Sequence, residues 1–232
     1  MNSSDFKNKM LETSFIKDKR ISLLRFDKDP FIFSIQDGWD LVEKIFGEFV
    51  EKRELGKNPP SMEVNKNGIS FKVVVSHNYY FWKELESGKW EPYTFDIFDR
   101  FITNDCTYID IGAWIGPTAL YGSNLAKAAY AFEPDPLAYK ELQLNFQVNE
   151  KSKSVKRIEI FNKAVASKTG KIKIGNLGSG GNSASSILFS DSNVSWKVDS
   201  VKLDEFLESK KIQGKLFIKM DIEGGNMNLF LL

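Results

Sequence analysis

At 232 residues the chain has room for one well-buried α/β domain with an N-terminal extension, but not for two large domains with separate cores. Hydrophobic residues are 42% and charged residues 27%, with 32 Lys plus Arg against 31 Asp plus Glu, which excludes a chain built around a polyanion or held open by its own charge. The single Cys106 cannot form an internal disulfide, and with one histidine the chain cannot supply a structural zinc site or a site built on several histidines.

The N-terminus, MNSSDFKNKM, lacks the apolar core of a signal peptide, and no run approaches membrane-spanning length. A cytoplasmic chain without membrane insertion is expected. Residues 1–36 carry scattered apolar positions without a period, so an irregular arm is expected, packing where Phe15, Leu23 and Phe31 reach a surface. From Asp40 to Leu55, Leu41, Val42, Ile45, Phe46, Phe49 and Val50 recur at helical spacing and predict a helix with one buried stripe. KNPP at 57–60 breaks it, and the β-branched ISFKVVV at 69–75 predicts a strand.

His77 reads as a polar turn residue, and its solitude weakens any Ser, His and Asp triad. NYYFWKELESG follows as a short aromatic helix. Tyr79, Tyr80, Phe81, Trp82 and Trp90 could line a substrate pocket, although core packing is the commoner fate of such a cluster. In DIFDRFI, Ile97, Phe98, Phe101 and Ile102 share one helical face.

The regular core begins at YIDIGA, a strand running into a glycine turn. PTALYGSNLA is a helix with Pro117 at its first position, and AAYAFEP a second strand. In DPLAYKELQLNFQVNE, Asp135 can cap a second helix whose first turn holds Pro136. RIEIFNKAV reads as one third strand, and the basic stretch KSKSVKR before it as a solvated connection, so no nucleic acid partner is expected. Strand alternating with helix predicts a mostly parallel sheet with flanking helices, whose ligand site lies beyond the carboxyl ends of the strands, where Gly112, Glu133 and Asn162 fall. KTGKIKIGNLGSGGNSASSILF holds five of the sixteen glycines and predicts a hairpin and a mobile loop. VDSVKLDEFLESKKI then gives a strand and a short helix, and KLFIKMDIEGG a fourth strand ending in acids.

The turn DIGAWIG lacks the full G-x-G-x-x-G of a dinucleotide site, which disfavours a pyrophosphate cradle and an NAD-dependent oxidoreductase. A tight turn remains, able to meet an anionic group with its amides and a cationic amine with Asp110. Glu133, twenty-three residues on, can take both hydroxyls of a ribose, or it can join Asp135 in capping the next helix. Asn162 can present its amide to a purine or simply form a turn. Asp221 and Glu223, at i and i+2, can form a paired-carboxylate site or a buried charge network, with Lys219 on the same side to neutralise them.

WEPYTFD, YIDIGAWIGP, AAYAFEPDP, ELQLNF, FNKAVASKTG, SVKLDEFL and FIKMDIEGG, in that order over residues 90–226, resemble the FkbM-type S-adenosylmethionine-dependent methyltransferases. The resemblance implies a class I, Rossmann-like fold over 90–232, with residues 1–89 a mixed helix and strand extension. It places Asp110, Gly112 and Gly116 around the methionine part of S-adenosyl-L-methionine, Glu133 on its ribose, and Asn162 and Ala164 near the adenine. Asp221 and Glu223 then stand beside the methyl group as candidate bases, and Leu142 and Asn145 are packing and hydrogen-bonding positions of the second helix. No metal is implied. The implied reaction is O-methylation, often of sugar hydroxyls in polysaccharide or natural-product pathways, so a small molecule or glycan is the expected substrate. Two departures stand out: Asn226 replaces a usual glutamate, and the family fold continues through a helix and strands beyond NMNLFLL. A chain without them exposes a sheet edge, which a partner or homo-oligomer would cover, and a non-catalytic cofactor-binding remnant is the alternative function.

Overall fold

A computed structural model describes residues 59, 61–76, 78–152, 157–176, 190 and 194–221. The expected N-terminal arm, the helix over Asp40–Leu55, His77, most of the glycine- and serine-rich loop, Glu223 and Asn226 lie outside the described residues.

Strands β1 (Ser61–Lys66) and β2 (Ile69–Val74) form an antiparallel hairpin. Its Asn67–Gly68 turn takes φ of 47° and 83°, the left-handed pair that a two-residue hairpin loop needs. The first strand was not anticipated, although Asn-Gly before a β-branched run is its signal. Helices α1 (Tyr79–Glu86) and α2 (Pro92–Phe101) follow. The second starts before DIFDRFI because Pro92 fits its first turn. Its buried residues are Phe95 and Phe98, with Ile102 just beyond, whereas Ile97 and Phe101 of the expected apolar face are exposed.

The core then runs β3 (Thr107–Ile111), α3 (Pro117–Leu125), β4 (Ala128–Phe132), α4 (Pro136–Gln147) and β5 (Ile158–Phe161). After β6 (Lys163–Val165), β7 (Gly170–Asn176), β8 (Val194–Val201) and α5 (Leu203–Ser209), the chain returns as β9 (Leu216–Met220). Strands β5, β4, β3 and β9 form, in that order, one wholly parallel sheet. Alternation divides its faces. Tyr108, Ala129, Ala131 and Phe217 pack with residues of the hairpin, α2, α3 and α4, while Ile109, Ile111 and Phe132 pack against Phe206 of α5. This is the α/β class that the strand and helix alternation implies.

RIEIFNKAV is not one strand. At Asn162 the chain leaves the parallel sheet, and β6 joins a second sheet in the order β6, β8, β7.

Two asparagines on α4 fasten the hairpin to the core. Buried Asn145 accepts from Val74 N–H and donates to the Ile115 carbonyl, both at 2.8 Å. One turn later, Asn149 accepts from Lys72 N–H at 2.8 Å and donates to the Lys72 carbonyl at 2.6 Å. Asn145→Ala strands a buried amide and a buried carbonyl, so a loss of about 2 kcal/mol is expected in urea unfolding. A change within experimental error would show that water replaces both bonds.

Candidate functional site

The site is built where β3 and β4 end side by side. After Ile111 the chain turns at Gly112, whose φ of 80° suits glycine, and the Gly112 and Ala113 amides both donate to the Phe132 carbonyl at 3.0 Å. The turn therefore leans across the end of β4. Trp114 also has a positive φ, 49°, and its amide donates to Glu133 Oε2 at 2.7 Å. The Asp135 amide donates to Glu133 Oε1, also at 2.7 Å.

Asp135 itself caps α4, accepting from the Leu137 and Ala138 amides at 2.8 and 3.3 Å. The two acids thus divide the work: Asp135 is the cap, and Glu133 faces the glycine turn. Burial pushes the Glu133 carboxyl up to about 7, against the opposing pull of the two amides and of Lys219. Each of its oxygens carries one amide bond, which leaves a lone pair on each for a further donor.

Asp110 and Lys219 are register partners on β3 and β9, so their side chains leave the same face of the sheet next to each other. Asp110 is fully buried. Its Oδ2 accepts from Thr118 Oγ1 at 2.7 Å, and its Oδ1 lies 3.2 Å from Lys219 Nζ but accepts no well-aligned hydrogen bond. Lys219 Nζ donates to the Gly112 carbonyl at 2.8 Å and stands 3.8 Å from Asp221 Oδ2. The lysine expected to neutralise Asp221 and Glu223 is thus bound chiefly to the turn and to Asp110. The Asp221 amide continues the sheet pairing by donating to the Ile111 carbonyl at 2.9 Å, and its side chain is exposed.

The structure therefore gathers Asp110, Gly112, Glu133 and Asp221 at the ends of three adjacent strands. Asn162 joins them differently: its Nδ2 donates to the Glu133 carbonyl at 2.8 Å and to the Pro134 carbonyl at 3.2 Å, fixing the backbone that carries Glu133. Gly116 lies with its missing side chain toward Leu142 of α4. Ala164 is buried with Ile174 and Val198 in the second sheet, away from the turn's hydrogen bonds.

Thr118 and Trp114 are site residues that the sequence reading missed. Thr118 stands in the first turn of the helix after the glycine turn, a position from which a hydroxyl can reach back to the strand-end acid. The aromatic cluster divides: Trp82 is core, whereas Phe81 is partly buried and makes edge contacts with Trp90 at 5.0 Å and Trp114 at 4.6 Å beside the turn. Tyr79 and Tyr80 are exposed.

A parallel sheet ordered third, second, first and fourth strand, with a glycine turn after the first strand and an acid after the second, defines a class I, Rossmann-like α/β fold. The chain belongs to the FkbM methyltransferase family: residues 110–231, more than half its length, match the methyltransferase FkbM domain. Among solved structures it is similar to methyltransferase FkbM from Methylobacillus flagellatus KT, at 16% identity and a TM-score of 0.39, over 65% of this chain and 39% of that one. It is also similar to Trm5b from Pyrococcus abyssi, at 18% identity and a TM-score of 0.31, over 52% and 43% of the two chains. The third is a tRNA methyltransferase from M. jannaschii, at 22% identity and a TM-score of 0.32, over 49% and 35%. The chain thus spans less than half the length of each of these proteins. No curated protein matches it. Among the described residues, no helix is long and apolar enough to cross a membrane.

Proposed function

We propose that this chain binds S-adenosyl-L-methionine and transfers its methyl group to a hydroxyl oxygen, of a sugar in a polysaccharide or natural-product pathway. The observation that carries the reading is Glu133: a buried carboxylate at the end of β4, tied by one oxygen to the glycine turn and left with a lone pair on each oxygen. A ribose diol offers two donors at the spacing of one carboxylate. Asp110 and the Gly112 carbonyl supply acceptors for an amino group beside it, and Asp110 Oδ1 has hydrogen-bonding capacity to spare. These residues suit a nucleoside that carries an ammonium.

When bound, this cofactor supplies a methyl group on a positively charged sulfur. The chain's own residues do the rest. Glu133 holds the ribose, Asp110, Gly112 and Gly116 form the turn around the amino-acid end, and Asn162 and Ala164 stand on the adenine side. Asp221, exposed at the end of β9 with Glu223 two residues on, accepts the proton of the attacking hydroxyl. Holding that hydroxyl in line supplies much of the rate.

Calorimetric titration with S-adenosylhomocysteine tests the cofactor half, and folded protein that does not bind it overturns the reading. Transfer of a labelled methyl group to a panel of sugars, peptides and RNA tests the acceptor. Label recovered on nitrogen or on RNA, with none on sugar oxygen, would overturn the O-methylation assignment.

A further inference from the structure

We infer that the Lys219 ammonium occupies the subsite that receives the methyl donor's α-amino group, and that it is displaced toward Asp221 when the donor binds. The inference rests on the cofactor reading above. Both cations require the same acceptors. Lys219 Nζ holds the Gly112 carbonyl at 2.8 Å and lies 3.2 Å from Asp110 Oδ1. That second contact is ionic and poorly aligned, since Asp110 Oδ1 is buried without a hydrogen bond of proper geometry. A better-placed ammonium can therefore take it over.

Asp110 balances one positive charge. A second ammonium brought to Asp110 Oδ1 would have to share that one oxygen with Lys219, and two like charges so close repel each other in a low-dielectric site, so binding proceeds by exchange and not by addition. Lys219 has a place to go. The Asp221 carboxylate is 57% exposed and only 3.8 Å from Nζ, and the lysine side chain, 14% exposed, is long enough to follow it into solvent. Occupancy of the amino subsite then moves a positive charge from Asp110 toward Asp221.

The test compares S-adenosylhomocysteine with 5′-methylthioadenosine, which keeps the adenosine and the thioether but lacks the amino-acid carbons. In calorimetry, Lys219→Met is expected to raise the preference for S-adenosylhomocysteine over methylthioadenosine about tenfold, because the competitor is gone. An unchanged or reduced preference overturns the inference; a reduction would mean that Lys219 binds the ligand's carboxylate. A second measurement needs no variant. Acetylation of Lys219 in the parent chain, followed by mass spectrometry, is expected to accelerate severalfold with S-adenosylhomocysteine and not with methylthioadenosine, and protection by S-adenosylhomocysteine overturns the inference. A parent chain that binds neither ligand removes the cofactor reading and this inference with it, whereas binding of both without these differences removes only the role of Lys219.

Discussion

Glu133→Ala is expected to weaken S-adenosylhomocysteine binding by at least about 100-fold, measured by calorimetry on folded protein. Two hydroxyls donating to a carboxylate contribute about 1.5–3 kcal/mol each, and both are lost together. The same group makes binding pH-dependent. Burial holds its carboxyl at about 7 in the free chain, and donors on both oxygens favour the charged form, so binding at pH 6 to 7 releases a proton. Titrations in buffers of different ionisation enthalpy read that proton directly, and its absence in the parent would deny Glu133 contact with the ligand.

Stability of the free chain follows with a definite sign. Below about pH 4.5 Glu133 is protonated whether the chain is folded or unfolded. Between 4.5 and about 7 the folded chain keeps a proton that the unfolded chain has released, so stability falls as pH rises, by up to about 3 kcal/mol. Above 7 the loss is constant. Glu133→Ala removes this dependence, while loss of the bonds from the Trp114 and Asp135 amides adds a cost that does not vary with pH. A parent and variant with parallel stability curves from pH 4.5 to 8 would contradict the burial of this charge.

Gly116→Ala is expected to destabilise the chain by about 4 kcal/mol in denaturant unfolding. Two independent costs add. The φ of 100° lies where L side chains are strained, at about 1–2 kcal/mol, and a methyl group there would stand 2.7 Å from Leu142 Cδ1, an overlap that costs about 1–3 kcal/mol to relieve. The costs separate in a Leu142→Ala background, where the overlap is gone and Gly116→Ala should cost only the backbone part. Equal costs in both backgrounds would show that Leu142 is not what the glycine accommodates. The turn is thus shaped from behind by α4 as well as in front, and Asn145 on the same helix holds the Ile115 carbonyl.

The parallel core was legible because each element announced itself. Pro117 and Pro136 sit in the first turns of α3 and α4, Asp135 caps the second, and the strands between are apolar on both faces. What the sequence hid were consequences of register and of side chains bonded across the chain. Lys219 pairs with Asp110 because β9 runs beside β3, and no local pattern states which strands are neighbours. The break of RIEIFNKAV is equally invisible, since the feature that marks it is a bond from Asn162 to carbonyls twenty-eight and twenty-nine residues away. For α2 the expected face held the buried Phe98 and Ile102 together with the exposed Ile97 and Phe101 and left out Phe95, because Phe95 and Phe98 are told from Ile97 and Phe101 only by what they meet: Tyr121 and Tyr108.

Asn162 is where one sheet is handed over to the other, and the side chain that makes the handover also grips the peptide of Glu133. Displacement of β6 by the ladder it shares with β8 therefore reaches Glu133 through a single amide. Substitutions in β7 or β8 that shift β6 are expected to reach the Glu133 backbone through Asn162, which calorimetry with S-adenosylhomocysteine would read as a change in affinity.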